Sequence, residues 1–183
     1  MPPVFGTTAT DQFFRTERWL GRIEAIYNGT YVQVGNSDDV LDHILAFFIN
    51  CYHIKDWLQN GPGWHDDVDP RLKKKAIEQF VTESPALCIC ADLCNGNKHL
   101  KLNERPPRSG SVPALHRVHY RVDSTAEGPL KTTKYTLRTQ RGFEDAHTLA
   151  RECFDAWESF IRKSTLESLR DLANRNPKHK PGR

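Results

Sequence analysis

The sequence predicts a mainly α fold: a bundle of four to five helices with a β-hairpin inserted before the last one. Three observations support this. Apolar residues recur at helical spacing over residues 10–27, 40–58 and 143–161, and the period changes to two over residues 117–122 and 134–138. Asn28-Gly29, Asn60-Gly61-Pro62-Gly63, Ser84-Pro85 and Gly142 punctuate the chain at the joins.

The first helix is amphipathic. Phe13, Phe14, Trp19, Leu20, Ile23 and Ile26 fall on its apolar side, with Arg15, Arg18 and Arg22 between them. A brief extended piece is expected at 30–34. Ser37 or Asp38 caps the second helix, where Asp38, Asp39 and Asp42 complement the positive end of the dipole. That helix is apolar around nearly its whole circumference from residue 40 to 58, which predicts a central position. After an acidic loop at 64–69, Pro70 opens a third helix that runs to about Glu83. Ser84-Pro85 reads as a new cap and first position, so residues 86–100 form a separate or kinked helix. Gly96 within it predicts a close helix crossing or a terminus.

Residues 103–114 have the composition of a loop. In the hairpin, spanning about 115–139, Val118, Tyr120 and Val122 alternate with Arg117, His119 and Arg121. Tyr135 and Leu137 then alternate with Lys134 and Arg138. One apolar face and one basic face carrying Arg117, His119, Arg121, Lys134 and Arg138 are the expected result. The last helix takes its core stripe from Phe143, Ala146, Leu149, Ala150, Cys153, Trp157, Phe160 and Ile161, continuing toward Leu172. Residues 1–9 read as a flexible start and 174–183 as a disordered basic tail, leaving 10–173 as one helical domain.

A chain of 183 residues buries roughly 70% of its unfolded surface and needs no disulfide or metal to fold. No run of about 20 apolar residues and no secretory leader pattern is present, so a cytoplasmic protein without a membrane span is expected. Cys51, Cys88, Cys90, Cys94 and Cys153 all lie in apolar helical pattern, which suits reduced core thiols. On one helix Cys88 and Cys90 point about 200° apart and cannot share an ion, which favours core packing over a cysteine metal site. No metal or cofactor is expected, the alternative being a divalent ion held by His53, Asp56, Asp92 and His99. The net charge of +3 is unevenly spread. Residues 100–141 hold nine Lys and Arg against three Asp and Glu, and residues 174–183 hold four against none. Such charge suits phosphate contacts.

Two apolar helical stretches carry ionisable residues, each costing several kcal/mol to bury unless paired. His53 and Asp56 are surface neighbours on the second helix. Asp92, Asn95 and His99 share a face of the later helix, and Lys98 lies about 100° round from His99. If the faces meet, the set supports acid–base chemistry with Lys98 stabilising an anion. The alternative is a hydrogen-bond network that fixes helix packing in a non-catalytic, protein-binding module.

The pairing of Cys51-Tyr52-His53-Ile54-Lys55-Asp56-Trp57 with Asp92-Leu93-Cys94-Asn95-Gly96-Asn97-Lys98-His99 resembles a group of uncharacterised bacterial and phage-associated proteins. Leu149-Ala150-Arg151-Glu152-Cys153 and Trp157 extend the likeness, which supplies no reaction. More distantly, the helical layout is similar to HEPN domains, bundles that often act as metal-independent ribonucleases and carry an Arg-x4-6-His motif. Arg141 and His147 have that spacing. The resemblance implies an RNA-directed activity, a homodimer, and Arg141–His147 as a rival to the His53/Asp92 set.

Overall fold

The computed structural model describes residues 8–30, 37–98, 106–122 and 130–175. Among them are six helices, α1 (Ala9–Tyr27), α2 (Ser37–Asn60), α3 (Pro70–Glu83), α4 (Pro85–Lys98), α5 (Ala146–Lys163) and α6 (Leu166–Asn174). Three strands, β1 (Ala114–Val122), β2 (Leu130–Thr139) and β3 (Gly142–Asp145), form an antiparallel sheet in the order β1-β2-β3. The mainly helical class and the hairpin before α5 match the sequence reading. None of the helices is long and apolar enough to cross a membrane. The expectations for residues 1–7, the extended piece at 31–34, the hairpin connection at 123–129 and the tail at 176–183 lie outside the described residues.

Local chemistry sets the helix ends. Thr8 and Asp11 close a reciprocal capping box on α1, Asp69 caps α3 with Pro70 in its first turn, and the Ser84 hydroxyl accepts the Leu87 N–H. The break at Ser84-Pro85 therefore separates α3 from α4. A second break was not expected. Ser164 Oγ turns back to Phe160 O while Thr165 and Ser168 form a new capping box, so α6 starts afresh instead of continuing α5.

α2 is the central element, touching α1, α3, α4, α5 and β2. Ile44, Phe47, Cys51, Ile54 and Leu58 along it are wholly buried, as its apolar circumference requires. Trp157 of α5 fills the space beside them. Cys90 Sγ donates to Phe48 O across the α4–α2 contact, Cys153 Sγ to Ala86 O, and Cys88 Sγ to Val81 O on another side of α4. All five cysteines are buried, and none of them forms a disulfide with a described residue.

Phe143 departs from the expected helical stripe. It lies on β3 and is 72% exposed, because Gly142 turns with φ of 109° and Asp145 caps α5 through the Thr148 N–H. β3 ends at Asp145, beyond which the Tyr27 hydroxyl accepts from Tyr135 N and donates to Tyr135 O, so α1 finishes the β2 ladder.

Two glycines differ in what they permit. Gly110 sits at φ 89° with its missing side chain aimed at Gln140, whereas Gly96, near the end of α4, has no atom of a described residue beyond the helix's own backbone within 4 Å of where its Cβ would stand. Gly110→Ala is expected to destabilise by about 1–2 kcal/mol, since the left-handed backbone resists a Cβ. Gly96→Ala is expected to stabilise by up to about 1 kcal/mol. Paired urea denaturation curves check the opposite signs.

Candidate functional site

The polar residues of α2 and α4 are joined through two groups that the sequence did not single out, Glu78 and Arg108. Glu78 on α3 accepts from Lys55 Nζ at 3.1 Å, Gln59 Nε2 at 3.2 Å and Arg108 Nη2 at 3.0 Å. Lys55 is also within 3.2 Å of the Tyr52 hydroxyl and 4.7 Å of its ring centroid. Burial pushes the Glu78 carboxyl up, but the bonds from Gln59, Lys55 and Arg108 outweigh it and hold the group below its ordinary value. Burial pulls the Lys55 ammonium down, yet Tyr52 and Glu78 leave it raised.

Asp92 is 3% exposed and is committed to the loop after α4. Its carboxylate accepts from Arg108 N at 2.9 Å, Ser109 N at 2.7 Å and Ser109 Oγ at 2.6 Å. Asp56 is exposed and pairs with Lys55 at 3.8 Å. His53 and Asn95 are half-buried, and Lys98 ends α4. His99 lies outside the described residues, so the proposed meeting of the two histidine rings falls there too. Lys55, Glu78, Arg108 and Asp92 thus tie three helices and a loop together, an arrangement that spends its charges on one another.

Arg141 and His147 are held by different partners. Arg141 pairs with Glu144 and with Glu152 at 3.1 Å, while His147 lies 3.5 Å from Glu24 and packs at a tilt of 48° against Tyr27 with ring centroids 5.3 Å apart. Glu24 also binds Arg151. Positions 147 and 152 are about 140° apart around α5, so the guanidinium and the imidazole are drawn to separate sides of that helix.

The hairpin register corrects the expected basic face. Arg117 is opposite Tyr135 and Leu115 opposite Leu137, whereas Val118 is opposite Lys134 and Ala114 opposite Arg138. Directly paired residues share a side of the sheet, so Arg117 falls on the Tyr135/Leu137 side and Lys134 and Arg138 on the other. His119 and Arg121 are backbone partners of Thr133 and Lys131. Arg117 lies at the margin of the inner side, donating to the Tyr135 hydroxyl at 3.3 Å and to Asp38 at 2.6 Å. The Tyr135 hydroxyl bond is the largest of the effects that raise its guanidinium.

The outer side has its own composition. Ala114, Arg138 and Phe143 form one row across the three strands, and His116, Thr136 and Asp145 the next. Phe143 and His116 are exposed, with ring centroids 6.0 Å apart in an edge-on arrangement. Arg138 is exposed and makes no ion pair with a described residue. Lys134 reaches over the sheet margin to within 5.2 Å of the Tyr27 ring centroid. An exposed aromatic pair bordered by cations is chemically suited to base stacking and phosphate contact. Sequence inspection missed Phe143 and His116; the available signal was Asp145, whose capping role starts α5 after Phe143.

No protein-family profile, curated protein or solved structure matches this chain.

Proposed function

We propose that this chain binds single-stranded RNA on the outer side of its three-stranded sheet. The observation that carries the reading is Phe143, 72% exposed in a row with Arg138 and edge-on to His116. Bases of a single strand offer π-faces to such rings, and Arg138 supplies a cation for the adjoining phosphate. The excess of Lys and Arg between residues 100 and 141 supports the same ligand. The reading is confined to binding: Arg141 is paired with Glu144 and Glu152, His147 lies beside Glu24, and the Asp92 carboxylate accepts from Arg108 N and Ser109 N.

Fluorescence anisotropy with a labelled uridine octamer tests the proposal. Phe143→Ala is expected to weaken binding by about 5- to 150-fold, the loss of one base–aromatic stack. Arg138→Ala is expected to lower the magnitude of the log Kd against log salt slope by about 0.7. Both positions are exposed, so folding survives and circular dichroism serves as the control. Absence of binding at low salt, or unchanged affinity in Phe143→Ala, overturns the reading. A DNA octamer bound as tightly would reassign the ligand to single strands of either sugar.

A further inference from the structure

Behind the turn between β2 and β3 lies a half-open cleft of about 350 Å³, bordered by the α3–α4 junction and the loop after α4. Its floor is largely apolar, with Pro85, Cys88 and Ile89, and its rim carries Arg108, Gln140 and Arg141. The volume is at the small end of ligand sites and has room for one base.

The rim retains hydrogen-bonding capacity. Arg108 binds Glu78 through Nη2, and Arg141 binds Glu144 and Glu152 through Nη2. The Nε and Nη1 donors of both make no hydrogen bond to a described residue, and neither does the Gln140 amide. Each guanidinium is already neutralised by a carboxylate, so the rim favours an uncharged ligand with acceptor atoms over a phosphate. One free N–H from each arginine matches O6 and N7 of guanine, the purine edge with two adjacent acceptors. Gln140 and Arg141 also precede Phe143 by only two or three residues, a span of at most about 10 Å. A single strand passing over the β2–β3 turn is long enough to place one nucleotide at each.

We infer that this cleft is a base-reading subsite, taking an unstacked guanine from the RNA strand that stacks another base on Phe143. The inference rests on the RNA-binding reading above and adds sequence preference to it. Arg108 and Arg141 read the O6/N7 edge, Gln140 bonds the remaining polar atoms, and Pro85 and Ile89 cover the base plane.

Three octamers test it: all-uridine RNA, the same RNA with one central guanosine, and the same with 7-deazaguanosine, which lacks the N7 acceptor. The guanosine octamer is expected to bind about tenfold more tightly than the uridine octamer. That ratio is expected to fall toward one with 7-deazaguanosine and in Arg141→Gln. Gln140→Ala, at an exposed side chain with no bond to a described residue, is expected to reduce the ratio without risk to folding. In Phe143→Ala both affinities fall and the ratio stays. Equal binding of the octamers, or a guanosine preference that survives Arg141→Gln and Gln140→Ala, overturns the subsite and leaves the sheet reading standing. No binding of any octamer overturns both.

Discussion

Glu78→Ala is expected to lower the free energy of unfolding by about 3 kcal/mol, a large share of the stability of a domain this size. The carboxylate is the shared acceptor of Lys55, Gln59 and Arg108, and the Lys55 side chain is only 12% exposed. Removing Glu78 leaves that ammonium with the Tyr52 hydroxyl and a 3.8 Å contact to Asp56. Breaking one side of a buried pair costs more than the pair contributes, because a desolvated charge remains. The double variant Glu78→Leu with Lys55→Met, which removes both charges, is therefore expected to recover much of the loss. A loss below about 1 kcal/mol in urea unfolding of Glu78→Ala would mean that the pair acts as an exposed one.

The same network has a signature in pH. Glu78 is held below its ordinary value of 4.5, so its contribution is complete above that value and disappears as pH falls through the lowered value. Lys55 is raised above 10.5, so its contribution is complete below that value and is lost as pH rises through the raised one. Glu78→Gln is expected to flatten the acid limb below about pH 4.5 relative to wild type, since a group that does not titrate cannot link stability to protons there.

Much of the helical frame was legible because it is written locally. The Ser84-Pro85 break and the apolar circumference of α2 depend on neighbours in sequence, and the structure places both as expected. The hairpin shows where locality ends. Alternation within each strand was clear, but the side each strand presents depends on cross-strand register, which pairs Arg117 with Tyr135 and Val118 with Lys134. Arg117 is tolerated toward the core because its long stem carries the guanidinium to the Tyr135 hydroxyl and Asp38 at the margin. Periodicity alone places Phe143 on a helix, while the competing cap at Asp145 decides the start of α5. Glu78 and Arg108 had no local signal at all. Their bond spans 30 positions, and only the packing of α3 against the loop after α4 brings them together.

Asp92→Ala is expected to cost about 2–4 kcal/mol, because three donors, two of them backbone N–H groups, lose an ionised acceptor together. Asp92→Asn is expected to lose roughly half as much, since its one oxygen still accepts while its amide nitrogen faces a donor. The loop should register the change before the helices do. With Arg108 and Ser109 no longer pinned to α4, tryptic cleavage at the Arg108–Ser109 bond is expected to accelerate while far-UV circular dichroism is retained. Arg108 also lines the cleft, so the guanosine preference should weaken in step with loop release. A purely catalytic Asp92 would leave unfolding and cleavage at wild-type values. An aspartate that positions the loop moves both, and this outcome would assign to α4 the task of presenting Arg108 to the ligand while Glu78 holds its far edge.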